Sequence, residues 1–452
     1  MTTYSSITNA RIITQDKIIH GTVSFSNGKI TNISNKFSSS KSSYDVNGNY
    51  VMPGFIETHG HFREPGFEHK EDISHGTRAA LAGGFTTVFD MPNTNPPITT
   101  VKLLHQQIAR YSKKSYCDFA INFGTSVKDI PELEKVDTSE IVGVKVFMAG
   151  HQTTPTTVTN KKDQARIWKI AAERGFPVLA HAEDQSLVTK QEQALQRSGR
   201  TDMFAYSQAR NEAVVIKAAK IAVELAVKYK TKLWILHAST QGEFEEIRKA
   251  RLKGINVGGE VTGYQLFFTT DDYEKLGTLI KVSPAIRSLK TNAKLWQMVR
   301  KGIIDGYCSE HTPHTLDEKQ GDIWKAASGT PGVQESVAVF ITGWIRQFGK
   351  NTLEEGLMRL ANMGSTNVAN FFGFTQKSGI QIGNDADLVV IDVNNIWKVQ
   401  KQDLFTKLKW SAYEGMELIG RPYATFLRGK LLYSMGKIIA TKPSAHRLVK
   451  QI

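Results

Sequence analysis

The 452-residue chain contains only two cysteines, Cys117 and Cys308. No disulfide framework can be read from two such residues, and a reducing cytoplasm is the expected compartment. No uncharged apolar run reaches about 18 residues, so no membrane span is expected. The opening MTTYSSITNARIITQDKIIHG lacks a basic stretch followed by an apolar one, and does not read as a signal peptide. The net charge is +14, yet no block of five or six basic residues occurs. Zinc-finger spacing and RNP-like aromatic motifs are missing too, so nucleic acid is not an expected partner. A basic surface either favours small anionic substrates or is simply solvated. Internal repeats and extended low-complexity tracts are also missing.

Hydrophobic and charged contents of 40% and 22% are those of an ordinary globular protein. The length suits one large barrel plus a smaller module. Residues 1–52 read as short strands, NARIIT, GTVSFSNGKITNIS and YDVNGNYVM, with Asn-Gly pairs at 27–28 and 47–48 that suit hairpins. From Pro53 onward, apolar strand-like runs alternate with helix-length segments. Candidate strands are 84–91, 118–124, 142–148, 177–181, 232–237 and 254–261, with further signals at 279–282 and 307–310. Residues 211–228 carry apolar positions at helical spacing, and Thr240-Gln-Gly-Glu243 matches a capping box. About eight strand–helix units predict an α/β fold, a (β/α)8 barrel with chemistry at the C-terminal ends of its strands. Past Phe372 the pattern returns to strands. The expected domains are therefore a barrel over 53–373 and a small β module assembled from 1–52 and 374–452.

The candidate ligands recur at those strand ends. His59 and His61, in PGFIETHGHFREPG, share one face of a strand with Arg63. Two imidazoles there make half a metal site, or else are incidental in a half-buried strand. His181 ends PVLAHAED, His237 ends KLWILHAST and Glu310 ends YCSEHTPH. Lys145 lies inside the apolar strand VGVKVFMAG, where burial favours the neutral amine. A neutral amine can add carbon dioxide to give an anionic, metal-bridging carbamate; alternatively the side chain snorkels to the rim. Cys308 reads as a packed small hydrophobe.

The segments PGFIETHGHFREPGFEHKED, GTRAALAGGFTTVFDMPNTNPP, GVKVFMAG, HAED, LHAST, EHTPHTLDEK and GNDADLVVID resemble the amidohydrolase superfamily, and more narrowly its dihydroorotases of the barrel-plus-β-module type. The resemblance implies two zinc ions per chain. His59 and His61 would hold one, His181 and His237 the other, and carboxylated Lys145 would bridge them. Glu310 falls where the family has the aspartate that touches metal and shuttles the proton. Arg63, Asn93, His314 and Ser283 fall at substrate-facing positions. The implied reaction interconverts N-carbamoyl-aspartate and dihydroorotate, through attack of a metal-activated hydroxide on the ring amide. The family also implies a homo-oligomer, in some members joined to aspartate transcarbamoylase.

Five departures stand out. Glutamate replaces aspartate at Glu57 and Glu310. TGYQL at 262–266 replaces T-P-H-H-L, bringing in Tyr264 and Gln265. Ser283 replaces an asparagine, and Glu335 stands where histidine is frequent. Three readings stay open: a dihydroorotase, a related hydantoinase or allantoinase, or a catalytically silent homologue serving as a subunit or scaffold.

Overall fold

The computed structural model describes residues 4–150, 154 and 156–450. The N-terminal strands are β1 (Ser6–Ile13), β2 (Ile18–Ser26), β3 (Lys29–Ser34), β4 (Ser43–Asp45) and β5 (Tyr50–Pro53). Asn27 and Gly28, both at positive φ, turn β2 into β3 as a hairpin. The second Asn-Gly pair does something else. Asn47 and Gly48 are also at positive φ, but β4 and β5 both run parallel to β1, so this pair makes a jog along one edge rather than a hairpin.

Eight parallel strands follow: β6 (Phe55–Gly60), β7 (Phe85–Asp90), β8 (Asp118–Gly124), β9 (Ile141–Phe147), β10 (Val178–His181), β11 (Leu233–Ile235), β12 (Val257–Thr262) and β13 (Gly306–Cys308). They form a nearly closed barrel, ordered β6 through β13. Across the seam His61 N donates to His311 O at 2.8 Å. Ser309 N donates to the buried Glu57 carboxylate at 3.0 Å. Helices cover the outside, among them Glu212–Tyr229, capped by Asn211, and Gln241–Arg251, capped by Thr240. Phe89, Leu179, Trp234, Phe372 and Phe374 belong to one buried cluster contributed by barrel strands and the segment after them. Apolar filling of this kind makes the barrel a packed core rather than a pore.

The strand expected at 279–282 is a 3-10 turn, Gly277–Ile280, followed by extended chain. A short, mostly apolar run reads the same in a buried strand and a buried loop. Here the Lys281 carbonyl is taken by Gly329 N from another loop, not by a strand neighbour.

The chain then returns to the first sheet. The remaining strands are β14 (Leu388–Ile391), β15 (Ile396–Lys398), β16 (Glu417–Ile419), β17 (Pro422–Leu427), β18 (Lys430–Ser434) and β19 (Lys437–Ile438). β14 pairs with β5 and β17, so the two chain ends share one β module, as the sequence predicts. β15 and β16 leave it and pair with each other. The excursion between them packs on the barrel: Trp410 Nε1 donates to His314 O at 2.8 Å, and Tyr413 stacks on Phe268.

Candidate active site

Each expected ligand comes from the C-terminal end of a barrel strand or the residues just beyond it. A small cavity is lined by His59, His61, Lys145, His181, His237 and Glu310, with Asn93 and Ser283. The His181 Nδ1 and His237 Nε2 atoms face each other at 2.9 Å. Lys145 Nζ lies 3.4 Å from His59 Nε2, and Glu310 Oε1 lies 4.0 Å from His237 Nε2. Ligand atoms of His59, His237 and Glu310 all fall within 4.8 Å of one another.

The electrostatics follow from burial. Desolvation holds the His59, His61 and His237 imidazoles well below their usual range, with Lys145 adding to the effect in each, so they are neutral and carry free lone pairs. Desolvation also brings the Lys145 amine down to about 7, against the pull of Glu310 and Glu260. The Glu310 carboxyl is pushed well up by burial and by Glu260, Glu57 and Glu183, with Lys145 opposing.

Two carboxylates orient the imidazoles, and sequence reading missed both. Glu260 on β12 accepts from His59 Nδ1 at 3.0 Å, from Thr58 Oγ1 at 2.5 Å and from Trp234 Nε1 at 2.9 Å. This leaves His59 Nε2 facing the centre. Glu183 accepts from His181 Nε2 at 2.8 Å and pairs with buried Arg210 at 2.6 Å. Burial would raise its carboxyl, but Arg210 and His181 bring it down to about 2. The signal for Glu260 was the one used for Lys145, a charged residue inside an apolar strand.

Three non-glycine site residues hold positive φ: Arg63 at 64°, His237 at 39° and Glu310 at 48°. Left-handed backbone costs about 1–3 kcal/mol per such residue and gathers at functional sites. Glycine serves the same place differently. A Cβ on Gly329, at φ 137°, would sit 2.4 Å from Thr312 Cγ2. Thr312, Gly329, Ser328 and Phe147 complete the cavity lining, all beyond the sequence reading.

Arg63 and His314 do not line the cavity. The guanidinium donates through Nε to Pro313 O at 3.0 Å and meets His314 Nε2 at 2.9 Å. Tyr264 and Gln265 also stay out of it. Both are buried, and Gln265 Nε2 donates to Pro284 O at 2.9 Å.

This donor set fits divalent metal: neutral imidazoles converge with a carboxylate, and the buried Glu310 Oε2 has no hydrogen-bond partner among the described residues. Residues 50–432 match the amidohydrolase family. The chain belongs to that family. The amidohydrolase is 31% identical to a dihydroorotase of Methanosphaera stadtmanae over 390 residues, 86% of each chain. It is 31% identical to an allantoinase of Rubrobacter xylanophilus over 398 residues, 88% of this chain and 87% of the other. The solved structure of an L-hydantoinase (dihydropyrimidinase) from Arthrobacter aurescens superposes with a TM-score of 0.94 at 27% identity, covering 99% of this amidohydrolase and 100% of that chain. Three cyclic-amide activities thus flank one fold. Among the described residues, no helix of the amidohydrolase is long and apolar enough to cross a membrane.

Proposed function

We propose that this amidohydrolase opens a cyclic amide bearing a carboxylate, with dihydroorotate the first substrate in line. Arg63 carries this reading. It is 3% exposed, and among the described residues no carboxylate lies within ion-pairing distance of it. Its partners are a carbonyl and an imidazole. The carboxylates that act on its charge, Glu318, Asp90 and Glu71, do so without a direct ion pair, and a substrate carboxylate that reached past the cavity wall to it would supply one. Lys70, 3.4 Å from His314 Nδ1, sits in the same corner, paired with Glu318 at 2.6 Å.

His59, His61, His181, His237, Glu310 and carboxylated Lys145 would hold two zinc ions. Such a pair supplies Lewis acidity, polarising the amide carbonyl and lowering the pKa of water. The chain's own part is proton handling and positioning. Glu310, with its carboxyl raised by burial, takes the proton from the attacking water and returns it to the leaving ring nitrogen. Asn93 and Ser283 contact the ring from the cavity wall.

A second reading, opening of a neutral hydantoin or of allantoin, draws on the same wall. Asn93, Ser283, Thr312 and Ser328 are neutral polar groups, and no arginine is among the lining residues. The deciding experiment is hydrolysis of dihydroorotate, hydantoin and allantoin by zinc-loaded protein, with metal counted on the same sample. Preference for dihydroorotate, lost as a rise in KM in Arg63→Met, supports the first reading. Preference for a neutral ring supports the second. A chain that binds no metal and opens no ring is a silent homologue.

A further inference from the structure

Part of the cavity wall is built from two loops, 281–283 and 326–329, which supply Ser283, Ser328 and Gly329. Neither loop has strand partners, so their buried carbonyls need donors from elsewhere. Lys319 provides them. It is fully buried, and its Nζ donates to Lys281 O at 3.0 Å, Ala327 O at 2.9 Å and Gly329 O at 2.7 Å. An ammonium has three protons, and all three are used. One acceptor lies on the first loop and two on the second, so a single side chain clasps them together. Gly329 N closes the same junction on Lys281 O at 2.9 Å. Nearer the cavity, the buried Tyr206 hydroxyl lies 2.6 Å from Ser283 Oγ and 2.9 Å from Ser328 Oγ. Lys281 sits over the Tyr206 ring at 4.8 Å, and its Nζ donates to Ile323 O and Ala326 O.

Among the described residues, no carboxylate forms an ion pair with Lys319; burial and the neighbouring Lys281 pull its amine well below its usual range against Glu318, and its hydrogen bonds all go to loop carbonyls. The two loops it joins both reach the cavity wall. We propose that Lys319 is a positioning residue for substrate recognition: by clasping the two loops it sets where the hydrogen-bonded pair Ser283 and Ser328, 3.2 Å apart, stands in the cavity wall, and so which cyclic amide ring the cavity accepts. The inference rests on the cyclic-amide reading. The Tyr206 hydroxyl, bonded to both serine hydroxyls and to Val282 O, holds the same pair from its other side.

The test is steady-state kinetics of wild type, Lys319→Met and Tyr206→Phe on dihydroorotate, hydantoin and allantoin, with zinc counted in every sample. Lys319→Met keeps the length of the side chain and removes its donors. The expected result is full zinc content, KM raised by about tenfold or more, kcat lowered by less than about threefold, and a narrower preference among the three rings. Unchanged KM and ring preference overturn the proposal. So does a joint fall of kcat and zinc content, which marks a general structural role. Where Lys319→Met does not fold, Tyr206→Phe decides by the same readout, because it deletes only the hydroxyl between the serines. A wild type that opens none of the rings removes the cyclic-amide reading and this one with it. A wild type that turns over beside unaffected variants removes this one alone.

Discussion

At residue scale the site is built from charge held out of water. Lys145 is 1% exposed and its amine is brought down to about 7, chiefly by desolvation. The nucleophilic free base therefore grows from a minor to the dominant form as pH rises through 7. If the side chain is carboxylated before metal enters, zinc loading of the metal-free protein should be slow at pH 6 and fast at pH 8, and should require bicarbonate. Zinc uptake followed with a chromogenic chelator checks this, and uptake indifferent to bicarbonate removes the carbamate. Glu260 acts on the neighbouring imidazole. Replacing it with glutamine keeps the shape but weakens the acceptor for His59 Nδ1, so Glu260→Gln should lower zinc affinity by about 10–100-fold, the usual effect of losing such a partner. Chelator competition measures that affinity, and an unaltered value would leave Glu260 a bystander. The ionisable residues that gather at the cavity were legible in the sequence because each ends an apolar run or, as with Lys145, lies inside one. Glu183 and Ser328 were not. One is a charge two residues past a histidine, the other a small polar residue in a long loop, and both patterns are common on ordinary surfaces.

At the scale of elements, buried polar side chains join neighbours that backbone pairing leaves apart. Asp90, the last residue of β7, accepts from Gln107 Nε2 at 2.8 Å, and the same nitrogen donates to Glu64 O at 2.7 Å. This ties the helix Val101–Lys114 to the strand end. Burial, with a smaller contribution from Glu64, raises the Asp90 carboxyl to about 7, although Gln107 and Tyr111 oppose it. A carboxyl raised in the folded state favours folding fully below its unfolded pKa, near 4, and loses that contribution as pH rises through 7. Asp90→Asn has no such titration. Its stability relative to wild type should therefore improve between pH 4 and pH 7, by up to about 4 kcal/mol. Thermal melts of both proteins across that range test it, and parallel curves would show that Asp90 stays ionised. The eight barrel strands were legible because their apolar runs alternate with helices. The run at 279–282 misled because it is apolar for another reason: it lies buried under a loop braced by Lys319. The Asn47–Gly48 jog misled because the turn residues specify positive φ and leave the direction of the next strand open.

At the scale of the whole molecule, the barrel and the β module are knotted by a buried ionic cluster that no single segment of sequence displays. Lys377, on the link between them, pairs with Asp118 at 2.6 Å, Asp385 at 2.9 Å and Asp387 at 2.7 Å. Asp118 opens barrel strand β8, Asp387 immediately precedes module strand β14, and Arg428, just past β17, closes on Asp118. Burial alone would raise the Asp118 carboxyl; Lys377 and Arg428 outweigh it and hold it below its usual range. The pairing of β5 with β14 could be anticipated from strand patterns at both chain ends, but this cluster gathers residues up to 310 positions apart. Removing the central cation leaves buried carboxylates facing one another, and breaking such a network costs about 3–5 kcal/mol. Lys377→Met should therefore lower the melting temperature and expose the segment around residues 375–387 to limited proteolysis. The candidate ligands lie at the opposite ends of the strands from Asp118, so any zinc the protein holds should stay at its wild-type content in the folded variant. A variant that melts like wild type would show that backbone pairing alone holds the module. One that loses zinc along with stability would show that the strand ends carrying the ligands depend on the module for their shape.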